Sequence, residues 1–97
     1  MATYISLLKW TDQGIKDIKQ SPSRLDAAKQ AFASAGGQLK AFYMVMGEYD
    51  ALTIAEFPSD EAYAATILSI ASRGAIQTTT LKAFTEDEYR RIIGSMS

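Results

Sequence analysis

The hydrophobic pattern predicts a first strand from Thr3 to Trp10, in which the residues alternate between two faces. A second predicted strand, from Leu39 to Met46, alternates in the same way. The faces of the first strand are Thr3, Ile5, Leu7 and Lys9, and Tyr4, Ser6, Leu8 and Trp10; those of the second are Leu39, Ala41, Tyr43 and Val45, and Phe42, Met44 and Met46. A strand with one solvated face is polar at every second residue. Both strands are apolar on both faces, which predicts that both faces of the sheet are covered.

Helix start and stop signals follow the first strand. Thr11 or Asp12 can cap a single helical turn. Ser21 followed by Pro22 predicts the N-cap and first turn of a longer helix, which stops at Gly36-Gly37. Its apolar residues recur at helical spacing: Leu25, Ala28, Phe32 and Ala35.

A tight turn in the middle of the sequence, Met46 to Ala51, predicts a β-hairpin. Gly47 can adopt the positive φ that short hairpin loops use, and the strand after the turn runs from Ala51 to Phe57. The next helix starts at Pro58-Ser59-Asp60-Glu61, where acidic side chains favour a helix N-terminus, and occupies Ala62 to Ser72 before Gly74 ends it.

The last two predicted elements are a strand from Ala75 to Phe84 and a short C-terminal helix. Thr85 and Glu88 have the spacing of a capping box at the start of that helix. Its apolar residues are Tyr89, Ile92 and Ile93.

The order of elements is strand, helix, strand, strand, helix, strand and a terminal helix. This order predicts an α+β, ferredoxin-like βαββαβ domain over residues 1–97, with a four-stranded antiparallel sheet and two helices on one face. The other sheet face is apolar and needs a cover. The same face of a second copy can provide it, which predicts a homodimer of the dimeric α/β-barrel kind or a larger homo-oligomer.

Composition narrows the chemistry. The 97 residues include no cysteine and no histidine, which excludes thiol catalysis and the commonest metal ligands and general base, so no metal and no cofactor are expected. A formal charge of -1 provides no basis for binding nucleic acid. No apolar run approaches the ~20 residues that span a membrane, so we expect no membrane partner and a cytoplasmic location.

Four ordered motifs resemble the GYD domain family of small bacterial and archaeal proteins, over essentially the whole chain. They are Lys9-Trp10-Thr11-x-Gln13-Gly14, Ser21-Pro22-x-Arg24, Gly47-Glu48-Tyr49-Asp50 and the run from Thr78 to Phe84. The resemblance implies a ferredoxin-like, dimeric α/β-barrel fold, in agreement with the patterning, and names no activity.

Five residues are candidate ligand contacts: Tyr49, Asp50, Lys9, Trp10 and Thr11. Asp50 could anchor a ligand or bond backbone amides of its turn, and the structural role is favoured. Tyr49 could donate a hydrogen bond or pack on the sheet end. Trp10 could stack on a planar ligand or lie at a dimer rim. We predict that the hairpin and the end of the first strand lie at opposite ends of one subunit and meet only across a dimer.

Four further residues have simpler interpretations. Arg24 and Arg73 lie near helix ends and could bind an anionic ligand, although the helix dipole already accounts for Arg73. Met44 and Met46 are expected to fill the core.

Three classes of function fit these observations. The first is a binding or regulatory module that holds a small metabolite, either between sheet and helices or at the dimer seam. The alternative is a cofactor-independent enzyme of isomerase, lyase or monooxygenase type acting on a small organic substrate, an analogy with other dimeric α/β-barrel proteins. No catalytic residue can be named for it. The third is a purely structural oligomer.

Overall fold

Four strands and four α-helices make up the computed structural model, which describes residues 1–97. A 3-10 turn precedes α2. The elements are β1 (Ala2–Trp10), α1 (Asp12–Lys16), the 3-10 turn (Ile18–Gln20), α2 (Ser21–Ser34), β2 (Gln38–Met44), β3 (Ala51–Phe57), α3 (Asp60–Ala71), β4 (Ile76–Ala83) and α4 (Glu86–Gly94). All strand pairs are antiparallel and the sheet order is β2, β3, β1, β4. The predicted α+β, ferredoxin-like fold is confirmed.

One face of the sheet is buried beneath α2 and α3. Alternate residues of β1 and β3 point to this face because side chains of a strand alternate with a period of two. They are Tyr4, Ser6 and Leu8, and Ala51, Thr53, Ala55 and Phe57, all buried. Phe32 of α2 and Tyr63 of α3 pack against Phe57, with ring centroids 5.2 and 5.0 Å from it. Edge-to-face aromatic contacts of this kind make the centre of the core.

The opposite face, called the open face below, is also apolar. Ile5 pairs with Ile54, and Leu7 pairs with Leu52, at its centre. Tyr43 on β2 and Leu81 on β4 flank these pairs, and 58% and 49% of their surfaces are exposed. Nothing in the single chain covers these residues. The expectation of apolar side chains on both faces of the first strand is therefore confirmed, and β3 shares this character.

Strand β2 differs from its prediction in two respects. A bulge between Leu39 and Ala41 shifts the register, so Leu39 packs against the core beside Phe42 instead of sharing a face with Ala41. The strand ends at Met44, and Met46 lies in the loop with 94% of its surface exposed. The prediction that Met44 and Met46 fill the core is wrong, because β2 is an edge strand and no element covers its end.

Helix starts mostly follow the predicted signals. Thr11 and Ser59 cap α1 and α3 with their hydroxyls, and Thr85 with Glu88 forms the predicted capping box of α4. Ser21 is not the N-cap of α2: the helix continues from the 3-10 turn, the cap position falls on Gln20, and no side chain caps it. Because the preceding turn already has helical geometry, the N-cap position lies one residue earlier in the chain than predicted.

Helix α4 presents an uncovered apolar stripe. Its residues follow helical spacing and are Tyr89, Ile92 and Ile93, with Met96 just beyond the helix, all exposed. The predicted C-terminal helix is confirmed, and its apolar side has no cover within the chain.

Candidate functional site

The hairpin between β2 and β3 lies beside the end of β1. Leu8 pairs with Ala51, and the Asp50 amide donates a hydrogen bond to the Leu8 carbonyl over 2.8 Å. The Asp50 carboxylate accepts a hydrogen bond from the backbone N–H of Trp10 over 2.9 Å. The prediction that the hairpin and Trp10 lie at opposite ends of a subunit is wrong, because antiparallel pairing brings the first residue of β3 against the last residues of β1. The two groups of candidate residues meet within one chain.

Lys9 and Tyr49 also meet at this end of the sheet. The Lys9 ammonium lies 5.3 Å from the centroid of the Tyr49 ring, a cation–π distance. Gly47 adopts a φ of 130°, as the predicted turn requires. Whether Lys9, Tyr49 and Asp50 contact a ligand stays a prediction, and the contacts that the structure shows for them join the hairpin to β1.

Thr11 joins the end of β1 to two other segments. Its hydroxyl donates to the carbonyl of Gly74 and accepts a hydrogen bond from the Gly14 amide over 3.1 Å. A Cβ atom on Gly14 would lie 2.1 Å from the Ala75 carbonyl oxygen, so only glycine permits this approach. Thr11 therefore fixes where the loop between α3 and β4 crosses the end of the sheet.

A cavity of about 290 Å³ opens between the buried face of the sheet and α2, beside this same end. Trp10 is the one predicted site residue that lines it. Most of the wall is apolar, and its residues are Leu8, Trp10, Gln20, Ser21, Ser23, Arg24, Leu25, Ala27, Ala28, Phe32, Leu39, Phe42, Ala51, Thr53, Ile67, Ile70, Arg73, Ala75 and Ile76. This volume is near the lower end of the range for small-molecule sites.

Two arginines are the only charged side chains of the cavity wall. The Arg24 guanidinium donates to the backbone carbonyls of Asp17 and Gly14 over 3.1 and 3.4 Å. The two salt bridges of the protein join Lys82 to Asp60 and Arg90 to Glu86, so neither Arg24 nor Arg73 has a carboxylate partner. The cavity is therefore electropositive. Both arginines were named from the sequence as possible anion contacts, and their positions near helix ends were the signal.

Thr53 belongs to the cavity wall, but its hydroxyl oxygen is buried away from the cavity space. Only 6% of its surface is exposed, and its hydroxyl oxygen is buried without a hydrogen-bond partner. Buried hydroxyls are nearly always bonded, because desolvating one without compensation costs on the order of 1–3 kcal/mol. No sequence signal distinguishes Thr53 from the other threonines, since its isolation follows from the packing around β3.

A second polar cluster lies on the buried face further from the hairpin. Ser6 hydrogen-bonds Tyr63 and, over 2.9 Å, Thr80. Tyr4 stacks on Tyr63 at 4.4 Å and donates its hydroxyl to Asp60, which also pairs with Lys82. Burial, then the hydrogen bond to Asp60, raise the pKa of Tyr4 from 10.0 to about 12. These partners bond one another, so the cluster stabilises the packing of α3 on the sheet.

The raised pKa of Tyr4 predicts a loss of stability in alkali. Above pH 10 the unfolded chain loses the Tyr4 proton while the folded chain keeps it. The free energy of unfolding therefore falls as the pH rises from about 10 to about 12. Below pH 10 Tyr4 is protonated in both states and has no effect on this free energy. Tyr4→Phe removes this contribution to the pH dependence of the free energy of unfolding. We expect the thermal midpoint of the variant to fall less steeply than that of the wild type between pH 9 and 12. Parallel curves would contradict the assignment, and Tyr89→Phe, at an exposed tyrosine, is the control.

The Asp50 contact predicts a structural effect for Asp50→Asn. Asparagine keeps an acceptor for the Trp10 amide but loses the charge that strengthens the bond. We expect the free energy of unfolding, measured in urea, to fall by roughly 1 kcal/mol. Tyr49→Phe keeps the ring beside Lys9 and should have less effect. If both variants keep full stability and lose ligand binding, the hairpin contacts the ligand and its structural role is secondary.

The cavity wall contains no carboxylate, amine, phenol or imidazole. It therefore offers no side chain that commonly serves as a general base. No group of three or more potential metal-ligating side chains occurs in the structure. None of its helices is long and apolar enough to cross a membrane.

The fold and the cavity define a class: a small ferredoxin-like α+β domain with one apolar, electropositive cavity between sheet and helix. The pattern that defines the GYD domain matches residues 4–93. The chain therefore belongs to the GYD domain family, and the resemblance seen in its motifs is confirmed.

Three similar proteins extend this comparison. A glutamine synthetase and cystathionine beta-lyase binding protein of Thermus thermophilus is 33% identical over 84 residues, 86% of this chain and 88% of the relative. The crystal structure of TTHA0845, also from Thermus thermophilus, has a TM-score of 0.56 at 24% identity, covering 88% of this chain and 95% of that one. A feast or famine regulatory protein of M. tuberculosis complexed with L-methionine has a TM-score of 0.62 at 18% identity and covers 90% of this chain. This chain spans 54% of that regulator.

Proposed function

We propose that this protein is a homo-oligomeric module that binds a small metabolite in the cavity beside Trp10 and has a regulatory role. The observation that carries the proposal is the cavity itself: about 290 Å³ of mostly apolar space with two guanidinium groups that have no carboxylate partner. Sites for small molecules combine an apolar wall with a few polar groups that orient the ligand. Trp10 is the predicted site residue that we propose as a direct ligand contact.

The comparisons support the regulatory part of the proposal. The curated relative is named for binding two enzymes, and the regulatory protein of M. tuberculosis was crystallised with an amino acid. A domain that binds both a metabolite and a protein can couple one to the other when the ligand changes the affinity for the partner. We propose that the exposed surface of this domain provides the contact with the partner protein.

Self-association is proposed from the open face. A second copy is the occupant that fits, because the face carries matching apolar pairs at its centre and a two-fold axis would place Ile5 and Ile54 of one copy against the same residues of the other. Stacked sheets bury such faces at about 10 Å separation. This assembly leaves the cavity accessible, since α2 and the cavity lie on the other side of the sheet.

Binding is favoured over catalysis by the composition of the wall. A cofactor-independent isomerase, lyase or monooxygenase needs a group that removes or donates a proton near the substrate. The cavity presents guanidinium, amide, indole and hydroxyl groups, none of which commonly performs that task near neutral pH. We therefore propose a ligand-binding role, and the enzymatic alternative has no observation in its favour.

The test is a metabolite screen on two matched variants. Ala28→Phe fills the cavity from α2, whereas Ala33→Phe adds the same ring at an exposed position of the same helix. Small metabolites of different charge are screened by thermal shift, and hits are measured by isothermal titration calorimetry. We expect at least one compound to bind the wild type and Ala33→Phe, and to bind Ala28→Phe at least tenfold more weakly. If no compound binds, or if binding is unaffected by Ala28→Phe, the proposed function is wrong.

A further inference from the structure

We infer that the cavity selects a monoanionic ligand, an apolar body of about eight to ten heavy atoms that carries one carboxylate. This inference rests on the proposed function and names the class of ligand. Three observations carry it: the unbalanced positive charge of the wall, the apolar interior, and the absence of an acidic residue from the start of α2.

The positive charge of the cavity wall favours a negatively charged group on the ligand. Arg24 and Arg73 line the cavity, no acidic residue does, and neither arginine takes part in a salt bridge. Arg24 uses two of its five N–H donors on backbone carbonyls, so others are free to bind a ligand. A guanidinium matches a carboxylate because two parallel hydrogen bonds form between the two planar groups. A cationic ligand would be repelled by both arginines.

The start of α2 reinforces this preference. Gln20, Ser21 and Ser23 at its N-terminus line the cavity beside Arg24. The first turn of α2 contains no acidic residue and no side chain caps it, whereas acidic residues occupy the first turns of α1, α3 and α4. The start of α2 therefore lies beside the cavity without an acidic side chain to balance the positive end of the helix dipole, which favours an anionic ligand there.

The interior determines the body of the ligand. Its walls are aliphatic and aromatic side chains, principally Leu8, Phe32, Phe42, Ile67 and Ile76. A volume of about 290 Å³ equals the share of roughly ten molecules of liquid water at ~30 Å³ each. A carboxylate with eight carbons in total has ten heavy atoms, so it fits a space of this size. The apolar wall excludes ligands that are polar along their whole length, because their groups would be desolvated without partners.

The experiment compares three probes of one size: octanoate, octanamide and octylamine. At pH 7 the three probes carry a negative, a neutral and a positive head group, respectively, on an eight-carbon chain. Isothermal titration calorimetry is performed on the full chain at low ionic strength. We expect octanoate to bind at least tenfold more tightly than octanamide, and octylamine to show no binding.

Arginine variants test whether Arg24 and Arg73 cause the preference for octanoate over octanamide. Arg73→Gln removes an exposed arginine whose guanidinium forms no salt bridge, and it should fold as the wild type does. We expect it to weaken octanoate binding at least tenfold while leaving octanamide unchanged. Arg24→Gln should act in the same way, with its thermal midpoint measured because Arg24 also bonds two carbonyls. Arg90→Gln on α4 is the matched control, since Arg90 lies outside the cavity, and should not change binding.

The outcomes separate the ligand class from the proposed function. If octanamide or octylamine binds as tightly as octanoate, and Ala28→Phe abolishes that binding, the cavity is a binding site and the anionic class is wrong. The class is also wrong if Arg73→Gln and Arg24→Gln bind octanoate as the wild type does. If none of the three probes binds and the metabolite screen yields only neutral or cationic ligands, the proposed function stands and this inference falls. If the screen yields no ligand that Ala28→Phe excludes, both fall.

Discussion

Replacing Ile54 with Asp should abolish the proposed self-association and leave a monomer. Ile54 lies at the centre of the open face and pairs with Ile5. In a sheet-on-sheet dimer, the new carboxylate would be buried in an apolar interface without a partner. The cost of leaving a charge unpaired in this way is at least about 3 kcal/mol per subunit. Light scattering coupled to size-exclusion chromatography should show the mass of one chain for the variant and a multiple of it for the wild type.

Gln30→Asp is the control for this experiment. It adds a carboxylate at an exposed position of α2, on the side of the sheet away from the open face. We expect it to keep the wild-type mass. A wild type that is monomeric at micromolar concentration, or an Ile54→Asp variant that keeps the wild-type mass, would refute the argument from the apolar open face.

Phe32→Ala should reduce the free energy of unfolding by about 3–5 kcal/mol. Phe32 has 2% of its surface exposed and contacts Phe57 and Tyr63 edge to face, with centroids 5.2 and 6.1 Å away. The loss combines the transfer energy of the ring with the void that remains, and small domains have only about 5–15 kcal/mol in total. Urea denaturation monitored by circular dichroism measures it. Because Phe32 also lines the cavity, the variant should weaken ligand binding as well.

Phe84→Ala makes the same chemical change at a surface position. Phe84 follows β4 and has 60% of its surface exposed. We expect its effect on the unfolding free energy of the single chain to stay below about 1 kcal/mol. Similar losses for the two variants would mean that Phe32 does not belong to the core.

Much of the fold was predictable because each element carries its own local signals. Alternation identified β1, the turn around Gly47 identified the hairpin, and the capping box of Thr85 and Glu88 identified α4. These signals depend on the backbone geometry of a few neighbouring residues. Two local predictions failed where a neighbouring element decided the outcome: the bulge after Leu39 and the 3-10 turn before α2.

The candidate site was predictable only in part. Trp10, Arg24 and Arg73 were named from sequence, and all three line the cavity. The contact between Asp50 and the Trp10 amide was not expected, because it depends on which strand ends lie together. Thr53 was missed altogether, since an unpartnered hydroxyl is a property of its surroundings and leaves no pattern in the chain.

The sequence by itself determined the α+β class, the order of the elements, the apolar character of both sheet faces and the absence of cysteine and histidine. Each of these follows from residue type and spacing along one segment. Only the tertiary structure decided that the hairpin meets β1 within one chain, that a cavity remains beneath α2, and that two arginines line it without carboxylate partners. Those features arise between segments distant in sequence, where packing and register, and not local periodicity, determine which groups come together.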